Sequence, residues 1–383
     1  MSLSQLLTDS TLGVWLDHWS VGSRDSIFVT DTDWSVTKTV LHGGRQEGVD
    51  YIFVNNGRLQ FSVIPTRGFL VWEARLGPVR LGWDSPVREV VHPQYVTLTE
   101  NGGFGWLDGF GELVSRCGLE SIGAPCTDGG ILLPLHGRIN YLPASRVTVE
   151  VAAEPSPTIR LRGEVVEARM FGARLRLTAE IETQIGSNEL ILRDVITNEG
   201  GAEREFQYLY HANFGPPILE AGARLVVAAV KVAPRDKRAA ERLAEWDRYT
   251  GPSQPGYTEE VYYLTPQANE KGQVDTLLHS ADRSCGVSIS YNLRELPFLT
   301  LWKNEAPLAN GYVTGIEPAT SLPNPRPFER GGGRVPKLRP GESHRSSITI
   351  RALGTTNEVE EIENKIRAVR QDAPEIQAEP VLG

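Results

Sequence analysis

One stretch of this chain alternates so regularly between apolar and polar residues that it restricts the fold more than any other feature. Over 173–183, apolar residues stand at positions 175, 177, 179 and 181, and polar residues stand at 174, 176, 178 and 180. A period of two puts the two sets on opposite faces of an extended chain, which predicts a strand with one buried face. Similar segments, separated by Gly, Pro, Asn and Asp, occur at 51–68, 146–153, 189–200, 205–215, 286–293 and 346–353. The chain is therefore predicted to be all-β, with a few short helices.

Helical periodicity is confined to two segments, 236–246 and 357–370. Asp236 is a candidate cap for the first, and Asn357 with Glu360 is a candidate capping pair for the second. The residues after 370 are predicted to be a frayed tail. Without a repeat or a clear linker, we predict a single domain over 1–383. Its core spans about 45–352, with an N-terminal extension (1–44) and a C-terminal helix and tail (355–383).

Composition and motifs exclude several classes of function. The 383 residues carry a formal net charge of −9, which disfavours binding to a phosphate backbone. The first residues do not resemble a secretory signal, and no stretch approaches the roughly 18 apolar residues that cross a bilayer. The 3 cysteines lack CxxC spacing and are interpreted as reduced thiols. We expect a cytoplasmic protein, a monomer or homodimer, that binds no nucleic acid, membrane or metal.

Glycine-rich stretches at 102–111 and 331–334 raise the question of phosphate binding. Neither follows the order strand, GxGxxG, helix, and the sequence contains no GxxxxGK[ST] and no GxSxG. No nucleotide or other cofactor is therefore expected.

The segment 205–215 places two polar side chains on one face of a predicted strand. Alternation puts His211 and Asn213 together, just before the chain reaches Gly215. An imidazole gives and takes protons near neutrality, so His211 is a candidate acid–base catalyst. The alternative is a structural histidine bonded to a backbone carbonyl.

Glu317 is the second candidate, because it ends an otherwise apolar strand that begins at Tyr312. A carboxylate in such a setting is costly unless it is paired or used in chemistry. Gly315 stands two residues earlier on the same face and leaves room for another group. The alternative is a carboxylate that stabilises the fold by pairing with an arginine.

Other polar residues occupy apolar or glycine-rich settings. His136 follows a run of apolar residues and proline, and Lys303 shares its strand face with Leu299 and Leu301, while Trp302 points to the other face. Arg116 and Asp108 lie in a glycine-rich segment. For Lys303 and Asp108 the alternative is a solvated or paired surface charge.

Seven motifs together resemble the aldose 1-epimerase, or galactose mutarotase-like, superfamily, and more narrowly one of its branches of unknown function. They are IPTRG (64–68), SRCGL (115–119), PLHGRI (134–139), LYHANFG (209–215), LWKN (301–304), GIEPATSLPN (315–324) and LRPGES (338–343). The resemblance implies a β-supersandwich of large antiparallel sheets with a sugar in an open cleft on one sheet. The usual acidic sugar-binding residue between the second histidine and the glutamate has no clear match.

In this family the sugar ring opens and recloses by two proton transfers, without a cofactor. The resemblance implies that Glu317 is the base and His211 the acid. It also implies that His136 and Arg116 hold sugar hydroxyls or assist. The full set of substrate-binding candidates is Arg67, Asp108, Arg116, His136, Arg138, Asn213, Trp302 and Lys303.

Three alternatives stay open at this point. A carbohydrate lyase or another sugar isomerase is favoured by the cations Arg67, Arg138 and Lys303, which suit an acidic or phosphorylated sugar. A carbohydrate-binding protein without activity would bind sugar and leave anomer exchange unchanged. A metal hydrolase would use His136, His211 and Glu317 as ligands, although they are far apart in sequence and HExxH is missing.

Overall fold

Two large sheets account for most of the computed structural model, which describes residues 2–25 and 31–382. In chain order the strands are β1 (Ser2–Asp9), β2 (Val14–Trp15), β3 (Trp19–Gly22), β4 (Ser35–Leu41), β5 (Val49–Asn55), β6 (Leu59–Ile64), β7 (Leu70–Leu76), β8 (Val79–Leu81), β9 (Val114–Leu119), β10 (Cys126–Asp128), β11 (Ile131–Leu133), β12 (Arg146–Ala152), β13 (Thr158–Ala168), β14 (Arg174–Gln184), β15 (Glu189–Asn198), β16 (Arg204–Glu205), β17 (Gln207–Phe214), β18 (Arg224–Val227), β19 (Ala229–Pro234), β20 (Glu260–Pro266), β21 (Gln273–His279), β22 (Gly286–Asn292), β23 (Phe298–Asn304), β24 (Val313–Ala319), β25 (Lys337–Leu338), β26 (Ser343–Leu353) and β27 (Glu375–Ile376). The helices are α1 (Glu100–Gly103), α2 (Lys237–Glu241), α3 (Arg326–Gly331) and α4 (Thr356–Val369).

The topology is antiparallel almost throughout. The ten-stranded sheet has the order β18-β21-β22-β26-β15-β14-β13-β12-β1-β2. The thirteen-stranded sheet has the order β27-β19-β20-β23-β24-β17-β9-β7-β6-β5-β4-β3, with β8 beside β7. Among the pairings of these strands in the described residues, only that of β19 with β27 is parallel. This arrangement confirms the predicted all-β class.

The strand predicted from strict alternation is β14, in the middle of the ten-stranded sheet. Leu175, Leu177, Ala179 and Ile181 are fully buried. The polar residues between them lie on the opposite face, where the charged ones form ion pairs with neighbouring strands, such as Glu180 with Arg193 at 3.3 Å. Burial of the apolar set against the second sheet fixes which face of β14 points inward.

Side chains from both sheets meet in the core between them, and one buried ion pair joins the sheets. Arg116 on β9 donates to both carboxylate oxygens of Asp194 on β15, at 2.8 and 3.1 Å. The Tyr208 hydroxyl donates to the same carboxylate at 2.6 Å. Arg116 is fully buried, so the expectation that it holds a sugar hydroxyl is corrected: its guanidinium stabilises the contact between the sheets.

We expect Asp194→Ala to lower the free energy of unfolding by about 3–5 kcal/mol, because it leaves the buried Arg116 charge without its partner. Chemical denaturation measures the change. Glu73→Ala is the matched control, since Glu73 pairs with arginines at the surface and its loss is expected to cost less than about 1 kcal/mol. A loss below 1 kcal/mol in Asp194→Ala would contradict this role.

The two predicted helices are present, with differences at their ends. Asp236 caps α2 by accepting from the Ala239 N–H at 3.0 Å, as predicted. The cap of α4 is Thr355, which accepts from the Glu358 N–H at 3.3 Å, so the predicted capping pair at Asn357 is wrong. Within the described residues, no helix has the length and apolar character needed to span a membrane.

Both ends of the chain differ from the expectation. Residues predicted as an N-terminal extension contribute β1 and β2 to the ten-stranded sheet, and β3 and β4 to the thirteen-stranded sheet. The predicted frayed tail is wrong, because β27 and the residues after it lie along β19 and bond to it through backbone N–H groups.

Candidate active site

The candidate site is a row of side chains that crosses four neighbouring strands of the thirteen-stranded sheet. Tyr263 on β20 pairs with Thr300 on β23, and Thr300 pairs with Glu317 on β24. The antiparallel pairing of β24 with β17 then puts Glu317 beside His211. Tyr208 and Tyr210 on β17 point into the core, so alternation directs His211 and the rest of the row to the outer face of the sheet.

His211 and Glu317 are in direct contact. The distance from His211 Nε2 to Glu317 Oε1 is 3.1 Å, and both side chains are at most 4 % exposed. The two groups therefore touch, and a sugar ring does not fit between them. Apart from this contact, Oε1 of Glu317 has no hydrogen-bond partner among the described residues, which leaves a lone pair for a ligand.

Asn213 determines which nitrogen of His211 carries the proton. Its Nδ2 donates to the carbonyls of Glu112 and His211, both at 3.1 Å, which leaves Oδ1 as the acceptor facing His211 Nδ1 at 2.6 Å. Nδ1 is therefore protonated, and Nε2 of the neutral ring has a free lone pair directed at Glu317. Asn213, predicted to bind substrate, has its amide engaged in positioning the histidine.

Burial determines the charge of the pair. It lowers the pKa of His211 well below the usual value, with a further contribution from His136, and it raises the pKa of Glu317 well above the usual value, with a contribution from Glu259. Both directions favour the uncharged forms. The contact between Glu317 and His211 Nε2 then holds one proton, on the glutamate side, which Nε2 can accept.

His136 lies next to the pair, with its ring centroid 5.1 Å from that of His211. Its Nδ1 donates to the Ile122 carbonyl at 2.9 Å, so Nε2 of the neutral ring is left as an acceptor. Burial lowers the pKa of His136 to about 4, which keeps the ring neutral at physiological pH. Its backbone has a φ of +56°, a left-handed conformation that is uncommon for residues other than glycine.

Aromatic side chains surround these groups and form the walls of a cleft of about 350 Å³. Trp106 packs edge-on against His136 with ring centroids 4.8 Å apart, and the ring centroids of Phe110 and Trp302 lie 5.4 and 5.5 Å from that of His211. The polar residues that line the cleft are His136, His211, Arg235, Glu259, Thr300, Trp302, Glu317 and Asn324. This mixture of aromatic faces and a few polar groups is typical of a small-molecule site.

Two charged residues of the cleft were missed by the sequence analysis. Glu259 accepts from Trp302 Nε1 at 2.7 Å and pairs with Arg235 at 3.1 Å. Arg235 also bonds to Asp236 at 2.9 Å. Glu259 directly precedes β20 in a polar stretch, and this context gave no signal of a site.

Like Arg116, the other three arginines and lysines predicted to bind substrate lie outside the cleft. Arg67 is fully buried and donates to the carbonyls of Asn140, Val91 and Gly109, all at 3.2 Å. Lys303 is fully buried on the inner face of β23 and donates to two carbonyls, the nearer at 2.6 Å.

Arg138 lines a separate surface depression together with Arg169. Asp108, also predicted to bind substrate, is half-buried outside the cleft, although its neighbour Leu107 lines it. Among the described residues, no group of three or more His, Cys, Asp and Glu side chains is arranged to hold a metal ion.

Comparison with known proteins places the chain in a family. The model of the family described as "Domain of unknown function (DUF4432)" matches residues 46–352. The chain belongs to the DUF4432 family. No curated protein matches the sequence.

The fold of this DUF4432 member is that of galactose mutarotase-like proteins. A crystal structure from Klebsiella pneumoniae subsp. pneumoniae, provisionally assigned as an aldose 1-epimerase, is 37% identical, with a TM-score of 0.97 and full coverage of both chains. The galactose 1-epimerase of Lactobacillus acidophilus is 14% identical, with a TM-score of 0.52 over 83% of this chain and 98% of that chain. A galactose mutarotase related enzyme from the same species is 12% identical, with a TM-score of 0.52 over 80% and 98%.

Proposed function

We propose that this DUF4432 protein is an aldose 1-epimerase-like isomerase that interconverts the anomers of a free sugar. The observation that carries the proposal is the contact of His211 Nε2 with Glu317 Oε1 at 3.1 Å, at the base of an aromatic cleft. The 37% identical relative with the provisional aldose 1-epimerase assignment supports the same reaction class.

The reaction needs an acid and a base close to each other. A base removes the proton of the C1 hydroxyl while an acid protonates the ring oxygen, and the bond from C1 to the ring oxygen breaks to give the open aldehyde. Rotation about C1–C2 and the reverse transfers close the ring from the other face. Because both oxygens are attached to C1, the acid and the base must be neighbours, as His211 and Glu317 are.

The one proton held between Glu317 and His211 is enough for the pair to act both as acid and as base. When a C1 hydroxyl donates to Glu317 Oε1, this hydrogen bond stabilises the carboxylate and shifts the proton toward His211 Nε2. Glu317 then acts as the base and His211 as the acid in ring opening, and the roles reverse in ring closure. Asn213 keeps Nδ1 protonated throughout, so that only Nε2 changes its proton.

The remaining polar groups are placed to hold sugar hydroxyls. Thr300 Oγ1 is buried beside Glu317 without a hydrogen-bond partner in the described residues, which is costly unless a ligand supplies one. His136 Nε2 offers an acceptor. Glu259 lies between His211 and Glu317 in the sequence and lines the cleft, so it is our candidate for the acidic sugar-binding residue that had no clear match. The ring of Trp302, fixed by its bond to Glu259, offers a face for stacking.

The charge of the cleft favours an uncharged sugar. Arg235 is its one arginine or lysine in the described lining, and Glu259 and Asp236 neutralise it. Arg67, Arg138 and Lys303, which motivated a lyase for acidic sugars, lie outside the cleft. An acidic or phosphorylated substrate is therefore not part of the proposal.

Magnetisation-exchange NMR of anomer interconversion tests the proposal directly. Purified protein with D-galactose, D-glucose and other free aldoses is expected to accelerate exchange between the α and β forms above the buffer rate. Absorbance of unsaturated products in the ultraviolet detects elimination in the same samples. Sugar binding without faster exchange would contradict the proposal and identify a binding protein.

Gly315→Ala tests the geometry of the pair. A Cβ at this position would lie 2.6 Å from Glu317 Oε1 and 3.0 Å from His211 Cε1, so both side chains would have to move. We expect turnover to fall about 10²-fold, the effect of a displacement near 1 Å at reacting groups. Gly201→Ala is the matched control, because no atom lies within 4 Å of its added Cβ. Unchanged turnover in Gly315→Ala would show that the reaction does not depend on this contact.

A further inference from the structure

Residues 375–382, called the edge strap from here on, run along the outer edge of the sheet that carries the candidate site. The strap begins as β27, parallel to β19. Its later N–H groups donate to the same edge: Gln377 to the Val232 carbonyl at 2.9 Å, Val381 to the Pro234 carbonyl at 3.0 Å, and Leu382 to the Arg235 carbonyl at 2.8 Å. The strap ends at the cleft, where Leu382 is one of the lining residues.

The edge strap is bound to the sheet more weakly than the other strands are bound to one another. None of its residues is buried, and the ion pair of Glu375 with Lys231 is long, at 3.5 Å, and exposed. By contrast, Glu317 and Thr300 lie on central strands and are 1–2 % exposed. Segments with exposed backbone bonds and little buried surface open at a small fraction of the global unfolding free energy.

The edge strap is also connected to the polar wall of the cleft. The carbonyl that accepts from Leu382 belongs to Arg235, the Arg235 side chain pairs with Glu259, and Glu259 holds the Trp302 indole. Displacing the strap therefore opens the cleft at Leu382 and loosens the residue that orients Glu259 and Trp302.

We propose that the edge strap is a displaceable wall of the cleft and that Leu382 limits the size of the sugar admitted. The inference rests on the proposed function for its substrate. With the edge strap in place, the volume of the cleft is about 350 Å³. This volume is near the lower end of the range for small-molecule pockets, roughly 300–1,000 Å³, and suits one sugar ring. A second ring needs the space that the Leu382 side chain closes.

Three variants of the full chain test whether Leu382 and the edge strap limit the size of the sugar. Leu382→Gly removes the side chain and keeps its N–H, and Val381→Pro removes the N–H that donates to Pro234. Ala378→Pro is the control, because the Ala378 N–H makes no backbone hydrogen bond among the described residues. Anomer exchange is measured with D-glucose and with maltose, whose reducing end carries a second ring.

We expect the ratio of kcat/KM for maltose to that for D-glucose to rise about tenfold in Leu382→Gly and Val381→Pro, within the range for a changed apolar contact in a specificity pocket. The control is expected to keep the parent ratio. A ratio within twofold of the parent in both test variants would overturn the size limit.

A second measurement needs no turnover. Acrylamide quenching of Trp302, taken as the difference between each protein and the same protein carrying Trp302→Phe, reports access to the cleft. Val381→Pro is expected to raise the quenching constant roughly twofold, since it favours the open strap. Unchanged quenching would overturn the displaceable wall even if sugars are turned over. Raised quenching in a protein that exchanges no anomers would support the wall and reject the proposed function.

Discussion

Replacing Glu317 by glutamine is expected to reduce anomer exchange by about 10³–10⁴-fold, toward the upper end of what one acid–base group contributes. The amide keeps the size and shape of the carboxyl but can neither accept the C1 hydroxyl proton nor exchange a proton with His211. Because burial favours the neutral form of Glu317, the uncharged glutamine is not expected to destabilise the fold. Thermal unfolding of both proteins checks this, and magnetisation-exchange NMR measures the rate.

Glu167→Gln is the matched control for this prediction. Glu167 is also a buried carboxyl, with a pKa that burial raises to about 7, but it accepts from the Leu119 N–H outside the cleft. Its replacement is expected to leave anomer exchange within twofold of the parent. Substantial activity in Glu317→Gln would remove Glu317 from the role of base.

Replacing His211 by asparagine is expected to cost at least about 10²-fold in the same assay, the lower end of the range for general acid–base catalysis. The loss should appear in kcat, because Nε2 takes part in the proton transfers and is not assigned to a sugar hydroxyl. A fall in affinity with unchanged kcat would instead make His211 a binding residue.

His279→Asn provides the comparison for a buried histidine without a role in the cleft. His279 is 2 % exposed on β21 of the ten-stranded sheet, and its Nδ1 donates to the Ser280 carbonyl at 2.7 Å. The variant is expected to retain the parent rate. A loss in His211→Asn no larger than that in His279→Asn would point to a packing effect.

Alternation along strands was the sequence signal that best predicted this structure. It identified β14, placed His211 with Asn213 on one face of β17, and placed Glu317 with Gly315 on one face of β24. Alternation therefore selected these side chains, whereas the contact of His211 with Glu317 depends on the long-range pairing of β17 with β24. The catalytic roles of His211 and Glu317 remain predictions that the variants above test.

Alternation along strands also shows which predicted residues cannot lie in the cleft. Lys303 and Trp302 are consecutive on β23 and so point to opposite faces, which means that both cannot line one cleft. Arg116 and Ser115 are likewise consecutive on β9. Ser115 lies opposite His211, so Arg116 points to the other face of the sheet. Family motifs brought these residues together in the prediction because a motif records sequence neighbours regardless of the face they occupy.

Other features depended on contacts that no local pattern contains. Glu259 reaches the cleft because β20 pairs with β23, and the edge strap docks because β19 offers an unpaired edge. Both are long-range pairings. A polar stretch before a strand and a polar tail give no periodicity from which such contacts can be read.

The register that aligns Thr300, Glu317 and His211 has a consequence for how this scaffold can diversify. Those three positions are fixed by backbone pairing in the interior of a sheet, whereas Leu107 and Pro323 reach the same cavity from connecting segments and Leu382 from the edge strap. If the proposed function holds, mutational libraries restricted to these three segments should change which sugars the protein accepts and leave the arrangement of His211 and Glu317 intact. Libraries in β17 or β24 should mostly yield inactive proteins.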